Sequence, residues 1–144
     1  MEFTASSIMR ARLVACNATD SLKEVARKML EEKVGSVLIK QNGELSGIIT
    51  DMDIMHAIAT GVNVEESKAE EIMSSPLEYC NSDDTIAKCK ELFEKTHHSR
   101  LVVKIGDEVV GVLLRKFVDR FSTVSKIYSL TQSSQTPHPR TGRG

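Results

Sequence analysis

The sequence predicts an α/β protein built from two pseudo-symmetric small sheets, each flanked by helices, and three observations carry that reading. The chain repeats itself: Ile8-Met9 recurs as Ile72-Met73, Leu22 as Ile86 and Gly47 as Gly111, each pair 64 positions apart. Each copy mixes helix-period apolar stripes with short aliphatic runs bounded by turn residues. Neither half, at about 60 residues, buries enough apolar surface to be secure alone, so the two should pack on each other.

The first copy spans 4–61. A short leading strand is expected at Leu13-Val14. Ser21-Leu22-Lys23-Glu24 has the form of a capping box, in which a hydroxyl and a carboxylate satisfy free amides at a helix start. Behind it Leu22, Val25, Ala26, Met29 and Leu30 form one apolar stripe. Val34 to Ile39 is too brief for a helix and reads as a strand. Asn42-Gly43 is a two-residue hairpin signal, because both turn positions need positive φ. Leu45 to Thr50 is the return strand, and from Asp51 a helix runs through Ile54, Met55 and Ile58 until Gly61 ends it.

The second copy spans 68–128 and repeats this order. A leading strand is expected at Leu77 to Cys80, and Ile86, Cys89 and Phe93 mark its first helix. Leu101 to Ile105, the turn Gly106-Asp107 and Val109 to Leu114 form its hairpin. Phe117, Val118, Phe121 and Val124 stripe its last helix. Matching Ser36 to Ser99 and Gly43 to Gly106 implies that the offset slips to 63 across the strand and is regained in the hairpin. At the joint, Ser67 and Glu70 offer another capping box before Ile72. From residue 129 to 144 Ser, Thr, Gln and Pro dominate, which predicts a flexible C-terminal tail.

Composition narrows the function. The chain has 144 residues, 40% hydrophobic and 27% charged, with 4% aromatic and no Trp, so its core must be aliphatic. A net charge of -1 argues against a duplex nucleic acid partner, which calls for a broad basic surface. Three widely spaced cysteines, Cys16, Cys80 and Cys89, suit a reducing compartment. No apolar run approaches the roughly 20 residues that span a bilayer. The expectation is a cytoplasmic protein with no membrane partner. His97-His98 with Cys80 or Cys89 fits no metal-ligand spacing, and Cys89 lies on an apolar helix face as a core residue would. No phosphate loop, dinucleotide fingerprint or nucleophile elbow is present, so a non-catalytic role is expected.

One motif invites chemistry. Thr50 ends a strand and Asp53 lies in the first turn of the following helix, so the two can face the same side. The carboxylate can accept from two hydroxyls, and the free amides of the helix start favour an anion. The same residues also suit plain helix capping. Arg115-Lys116 reads either as a solvated patch or as an attraction for phosphate.

Gly47-Ile48-Ile49-Thr50-Asp51-Met52-Asp53 resembles the signature of cystathionine-beta-synthase (CBS) domains: Gly, two aliphatics, Thr or Ser, two variable residues, Asp. The repeated Ile-Met, the Asp-Ser-Leu before the helix and the aliphatic hairpin are similar too, so the resemblance covers roughly residues 4 to 128. It implies a tandem CBS pair, or Bateman module, with two clefts between the halves. In that family the Asp holds ribose hydroxyls and the Thr lies near phosphate, while the other half supplies base and phosphate contacts. The resemblance thus implies an adenine nucleotide, AMP or ATP, as ligand. It assigns Thr50 and Asp53 from the first half, and Leu77, Glu78, His98, Ser99 and Arg100 from the second. Some relatives carry His-Arg-Leu where this chain has Ser99-Arg100-Leu101. In the second copy Leu114 replaces the Thr and Phe117 the Asp, so one competent and one degenerate cleft are expected.

The resemblance also implies a flat homodimer, formed through apolar helix faces led by Ile54, Ile58, Val118 and Phe121. Two functions follow: a sensor whose nucleotide occupancy is read by an effector protein, or a structural dimerisation module with an empty cleft or a different ligand.

Overall fold

The computed structural model describes residues 3–134. The first half contains α1 (Ala5–Ile8), β1 (Ala15–Asn17), α2 (Leu22–Glu32), β2 (Ser36–Gln41), β3 (Glu44–Thr50) and α3 (Asp51–Ala59). The second contains α4 (Ala69–Ile72), β4 (Tyr79–Asn81), α5 (Ile86–Glu94), β5 (Arg100–Ile105), β6 (Glu108–Leu114) and α6 (Arg115–Ser134). Each half holds one three-stranded sheet, ordered β1-β2-β3 and β4-β5-β6. The first pair in each is parallel, joined across a helix as a parallel pair requires, and the second is an antiparallel hairpin. The fold is the α/β pair of small sheets that the sequence predicts.

Strand pairing corrects the repeat alignment. Ser36 faces Thr50 as Arg100 faces Leu114, and Leu38 faces Ile48 as Val102 faces Val112, so the offset stays at 64 through both hairpins. The expected slip to 63 arose from matching glycines at different turn positions. Asn42 and Gly43 both have positive φ, 54° and 82°, whereas Gly106, at 60°, opens its turn. Arg100 therefore occupies the place of Ser36, and Ser99 that of Gly35.

Other local expectations shift slightly. Both leading strands form two residues later than expected, because Val14 and Leu77 are buried while the residues after them pair with β2 and β5. Ser21 Oγ accepts from the Glu24 amide at 3.1 Å, but the Glu24 carboxylate pairs with Arg27 at 2.6 Å, so the box is half formed. At α4 the Lys68 N–H donates to Glu71 at 3.0 Å, in place of the expected Ser67 and Glu70 pair; Glu70 accepts from Gln41 instead. Leu30 is 80% exposed rather than part of the α2 stripe, since it lies a step of about 100° round from buried Met29. The helix α6 continues through Ser134, into the stretch read as a tail, and 135–144 lie outside the described residues.

Packing crosses the repeat boundary. Ala5 and Ile8 of α1 sit in the second-half core with Ile86, Phe93, Leu113 and Val118, while Ala69 of α4 joins Leu22, Val25 and Ile49 in the first. Between the sheets lies a third cluster of Leu38, Ile48, Leu77, Val102, Val112 and Leu114. Fully burying one such aliphatic side chain contributes about 1.5–3 kcal/mol. These shared clusters bind two halves that would each be marginal alone.

Two residues expected to lead an assembly face belong to the core instead: Ile54 and Val118 are buried by their own sheets. Phe121 is half-buried, edge-on to Phe3 with ring centroids 5.2 Å apart. Ile58 is 59% exposed, together with Met52 and Met55 on α3 and Val124, Ile127 and Tyr128 on α6. Among the described residues no helix is long and apolar enough to cross a membrane.

Candidate functional site

Thr50 is both the last residue of β3 and the N-cap of α3, and it is buried. Its Oγ1 accepts from the Asp53 amide at 3.2 Å, while Asp53 Oδ2 accepts from the Thr50 amide at 2.8 Å. The capping reading is thus fulfilled, and it leaves chemistry over. Asp53 keeps Oδ1 as an acceptor, and the Thr50 hydroxyl keeps its proton to donate.

These two side chains line a cleft of about 120 Å³ with Ser74, His97, His98, Ser99 and Arg100. Ile48 and Ser74 exchange backbone hydrogen bonds at 3.1 and 2.9 Å, which pins the Ser74 wall to β3. The opposite wall is the loop before β5. Arg100 Nη1 donates to Ser99 Oγ at 3.1 Å, whereas Arg100 Nε is buried with no hydrogen-bond partner. Burial draws the Arg100 guanidinium pKa down; Asp51, then Asp53, push it up, and Arg10 lowers it.

Arg115, which from sequence suits either a solvated patch or an attraction for phosphate, is committed to the protein itself. Its guanidinium donates to the carbonyls of Phe93, Thr96 (3.1 Å) and His98 (3.4 Å), and it lies over the Phe93 ring. Its backbone N–H also donates to Ser99 O at 2.9 Å. Arg115 therefore ties down the loop that brings His98 and Ser99 to the cleft.

The structure brings Thr50, Asp53, His98, Ser99 and Arg100 together and leaves Leu77 and Glu78 outside this cleft. Leu77 turns its side chain into the inter-sheet core. Glu78 lines a neighbouring hollow of about 370 Å³ with Tyr79, Leu92 and Leu101, which shares His97 and His98 with the cleft. Sequence reasoning missed Ser74 as a cleft residue, although it lies 64 positions after Arg10 and directly after the repeated Ile-Met.

The pseudo-symmetric second cleft, about 190 Å³, is lined by Leu114 together with Arg10, Arg12, Lys33, Asp51, Arg100 and Lys116. Phe117, in the place of Asp53, lies under the Arg10 guanidinium at 5.1 Å from its ring centroid. Neither Leu114 nor Phe117 offers a hydroxyl or carboxylate.

The three cysteines are free and buried. Burial pushes the Cys16 thiol pKa up, with Asp20 adding to it. Cys80 is raised by its hydrogen bond to Cys89 and by burial. Among the described residues no group of three or more His, Cys, Asp or Glu is placed to hold a metal ion.

Comparison with known proteins places this geometry. The sequence pattern of the CBS domain matches residues 5–60 and 69–116. The chain is 31% identical over 107 residues to a probable arabinose 5-phosphate isomerase of Haemophilus influenzae, covering 73% of this chain and only 32% of that protein. The crystal structure of an uncharacterized conserved protein from Pyrococcus horikoshii matches with a TM-score of 0.69 at 19% identity, over 98% of both chains. A CBS domain protein from Pyrobaculum aerophilum, complexed with AMP, matches with a TM-score of 0.66 at 19% identity, over 79% of this chain and 88% of that one.

Proposed function

The chain belongs to the CBS domain family, and from that premise we propose that it is a regulatory module that binds an adenine nucleotide between its two repeats and catalyses nothing itself. The observation that carries this is the convergence of Thr50 and Asp53 from the first half with Arg100 from the second on one cleft. Asp53 Oδ1 suits a ribose hydroxyl and the Thr50 hydroxyl a phosphate, whereas the first amides of α3, expected from sequence to be free, already donate to Gly35 O, Asp51 Oδ1 and Thr50 Oγ1. The Arg100 fork matches phosphate geometry, and its buried, unpartnered Nε gains from such a ligand. The neighbouring hollow past His98, where Glu78 lies, has room for a base and keeps Leu77 and Glu78 as candidate base contacts. The AMP complex of the Pyrobaculum relative supports the same ligand class.

The cleft is lined by Thr50 and Asp53 of the first half and by Ser74 and His97 to Arg100 of the second, so occupancy biases how the halves pack, and an effector protein can read that bias. The isomerase relative is about three times the length of its match to this chain, which is consistent with a module that regulates an enzyme.

A thermal-shift screen of AMP, ADP, ATP, S-adenosylmethionine and NADH tests this reading. A ligand of the native state at one hundred times its Kd adds about 2.7 kcal/mol of stability. No shift with any of the five, in a folded protein, overturns it.

The second reading is a structural dimerisation module. The observation favouring it is the exposed apolar face of Met52, Met55 and Ile58 on α3. We place a homodimer contact there under either reading.

A further inference from the structure

We infer that the second cleft is a phosphate site without nucleoside recognition, taking a phosphate or pyrophosphate group through Arg10, Lys33, Arg100 and Lys116. Three observations converge on it. The first is charge: five cationic side chains, including Arg12, line the cleft against one carboxylate, Asp51. Glu32 pairs with Arg12, and Asp51 is the acid nearest in effect to Arg100, so Arg10, Lys33 and Lys116 remain uncompensated. Lys33 and Lys116 are exposed and make no ion pair among the described residues. Cations lining one cleft repel one another, as Arg10 does Arg100, and a multiply charged anion relieves that repulsion while accepting from several donors.

The second observation is substitution at equivalent positions. At the 64-residue offset Thr50, Asp53 and Ser74 of the first cleft are replaced by Leu114, Phe117 and Arg10, of which Leu114 and Arg10 line the second cleft. The hydroxyl and carboxylate groups that suit a sugar are absent, and a cation is added. Arg10 is fixed in place, since its backbone exchanges hydrogen bonds with Val112 at 2.8 and 2.9 Å and its guanidinium lies over Phe117.

The third is the floor of the cleft. Arg100 lines both clefts, and a Cβ on Gly35 would stand 3.3 Å from Arg100 Nη2 and 3.4 Å from Asp51 Oδ2. The bare backbone of Gly35 therefore leaves the guanidinium open to the second cleft as well as the first. The phosphate can come from two sources: the terminal phosphates of a nucleotide seated in the first cleft and reaching past Arg100, or a separate phosphorylated anion.

The test is calorimetry of the full chain with inorganic pyrophosphate, AMP and ATP, on the wild type, the double variant Lys33→Ala/Lys116→Ala, and Asp53→Ala. Pyrophosphate is expected to bind the wild type at one site, about tenfold or more weaker in the double variant, and unchanged in Asp53→Ala. If ATP and pyrophosphate exclude each other, and the double variant weakens ATP but not AMP, the nucleotide's own phosphates fill the site. If pyrophosphate binds alongside ATP, the source is a separate anion. Absence of pyrophosphate binding, or binding that the double variant leaves unchanged with its fold intact by circular dichroism, overturns the inference. Pyrophosphate binding in a protein that takes none of the nucleotides would overturn the first-cleft reading and leave this one standing.

Discussion

Met73 packs directly on Gly47: a Cβ added to the glycine would stand 2.5 Å from Met73 Sδ and 2.8 Å from its Cγ. The same relationship joins Met9 to Gly111, with Sδ at 2.5 Å. The repeated Ile-Met of one half and the repeated glycine of the other are thus two sides of a contact between the halves, made twice. Met73 belongs to the linking segment and Met9 to the N-terminal one, so each contact closes a helix onto a sheet. Gly47→Ala is expected to destabilise by about 1–3 kcal/mol through overpacking. Met73→Ala in the same chain should recover part of that loss, read as non-additivity in urea unfolding. Gly111→Ala should cost more, because the rigid carbonyl of Arg10 also lies 2.8 Å from its Cβ position.

Nucleotide affinity should depend on Asp53 and Arg100 in different ways. Removing a charged acceptor forfeits about 1.5–3 kcal/mol per hydrogen bond made to it. Asp53→Ala should therefore weaken AMP by about one to two orders of magnitude. Arg100→Ala should weaken AMP and ATP while sparing adenosine, and Phe117→Ala should leave AMP affinity nearly unchanged. Calorimetry with all three separates ribose from phosphate recognition. Wild-type binding by Asp53→Ala with loss in Phe117→Ala would put the nucleotide in the other cleft.

Arg115 should matter to the first cleft without touching its ligand. Its Nη2 shares two protons among three carbonyls of the segment 93–98, and that loop carries His98 and Ser99 to the cleft. Arg115→Ala should speed amide hydrogen exchange across 95–99 and lower AMP affinity about threefold to tenfold. Unaltered exchange there would mean the loop holds its shape by other contacts.

Self-association should run through α3. Met55 and Ile58 are 55% and 59% exposed, while Ile54 and Ala57 of the same helix are buried. Ile58→Glu should shift light scattering from dimer to monomer at micromolar concentration without lowering the monomer's helical content. A wild-type monomer under those conditions would remove α3 as an interface.

Alkaline pH should destabilise the fold through Cys16. Burial raises the Cys16 thiol above its ordinary value of 9.0, whereas Cys80 and Cys89 share one hydrogen bond that raises the first and lowers the second, so their effects oppose each other. Below that value both folded and unfolded chains keep the Cys16 proton, so Cys16 adds no pH dependence there. Above it the unfolded chain releases a Cys16 proton that the native state retains, and stability falls as pH rises. Wild-type Tm should therefore decline more steeply above pH 9 than that of Cys16→Ala; parallel curves would count against the assignment.

Sequence alone determined what is local or repeated. The helix stripes, the Asn42-Gly43 turn and the Thr50-Asp53 pair were legible because each depends on spacings of a few residues, which φ/ψ geometry converts directly into facing side chains. The 64-residue repeat was legible in the same way, and with the family resemblance it pointed to Arg100 as the partner from the other half. Tertiary structure decided the rest. Only strand pairing showed that the repeat keeps one offset, since a glycine can serve either turn position and the sequence does not say which. Only packing separated buried Val118 and Ile54 from exposed Ile58, and buried Met29 from exposed Leu30, because a stripe marks a helix face and not how far the neighbouring sheet reaches. The basic second cleft draws Arg10, Lys33, Arg100 and Lys116 from four distant segments. Their convergence follows from α1 crossing to the far sheet, a contact that burial of Ala5 and Ile8 stabilises and that no local pattern encodes.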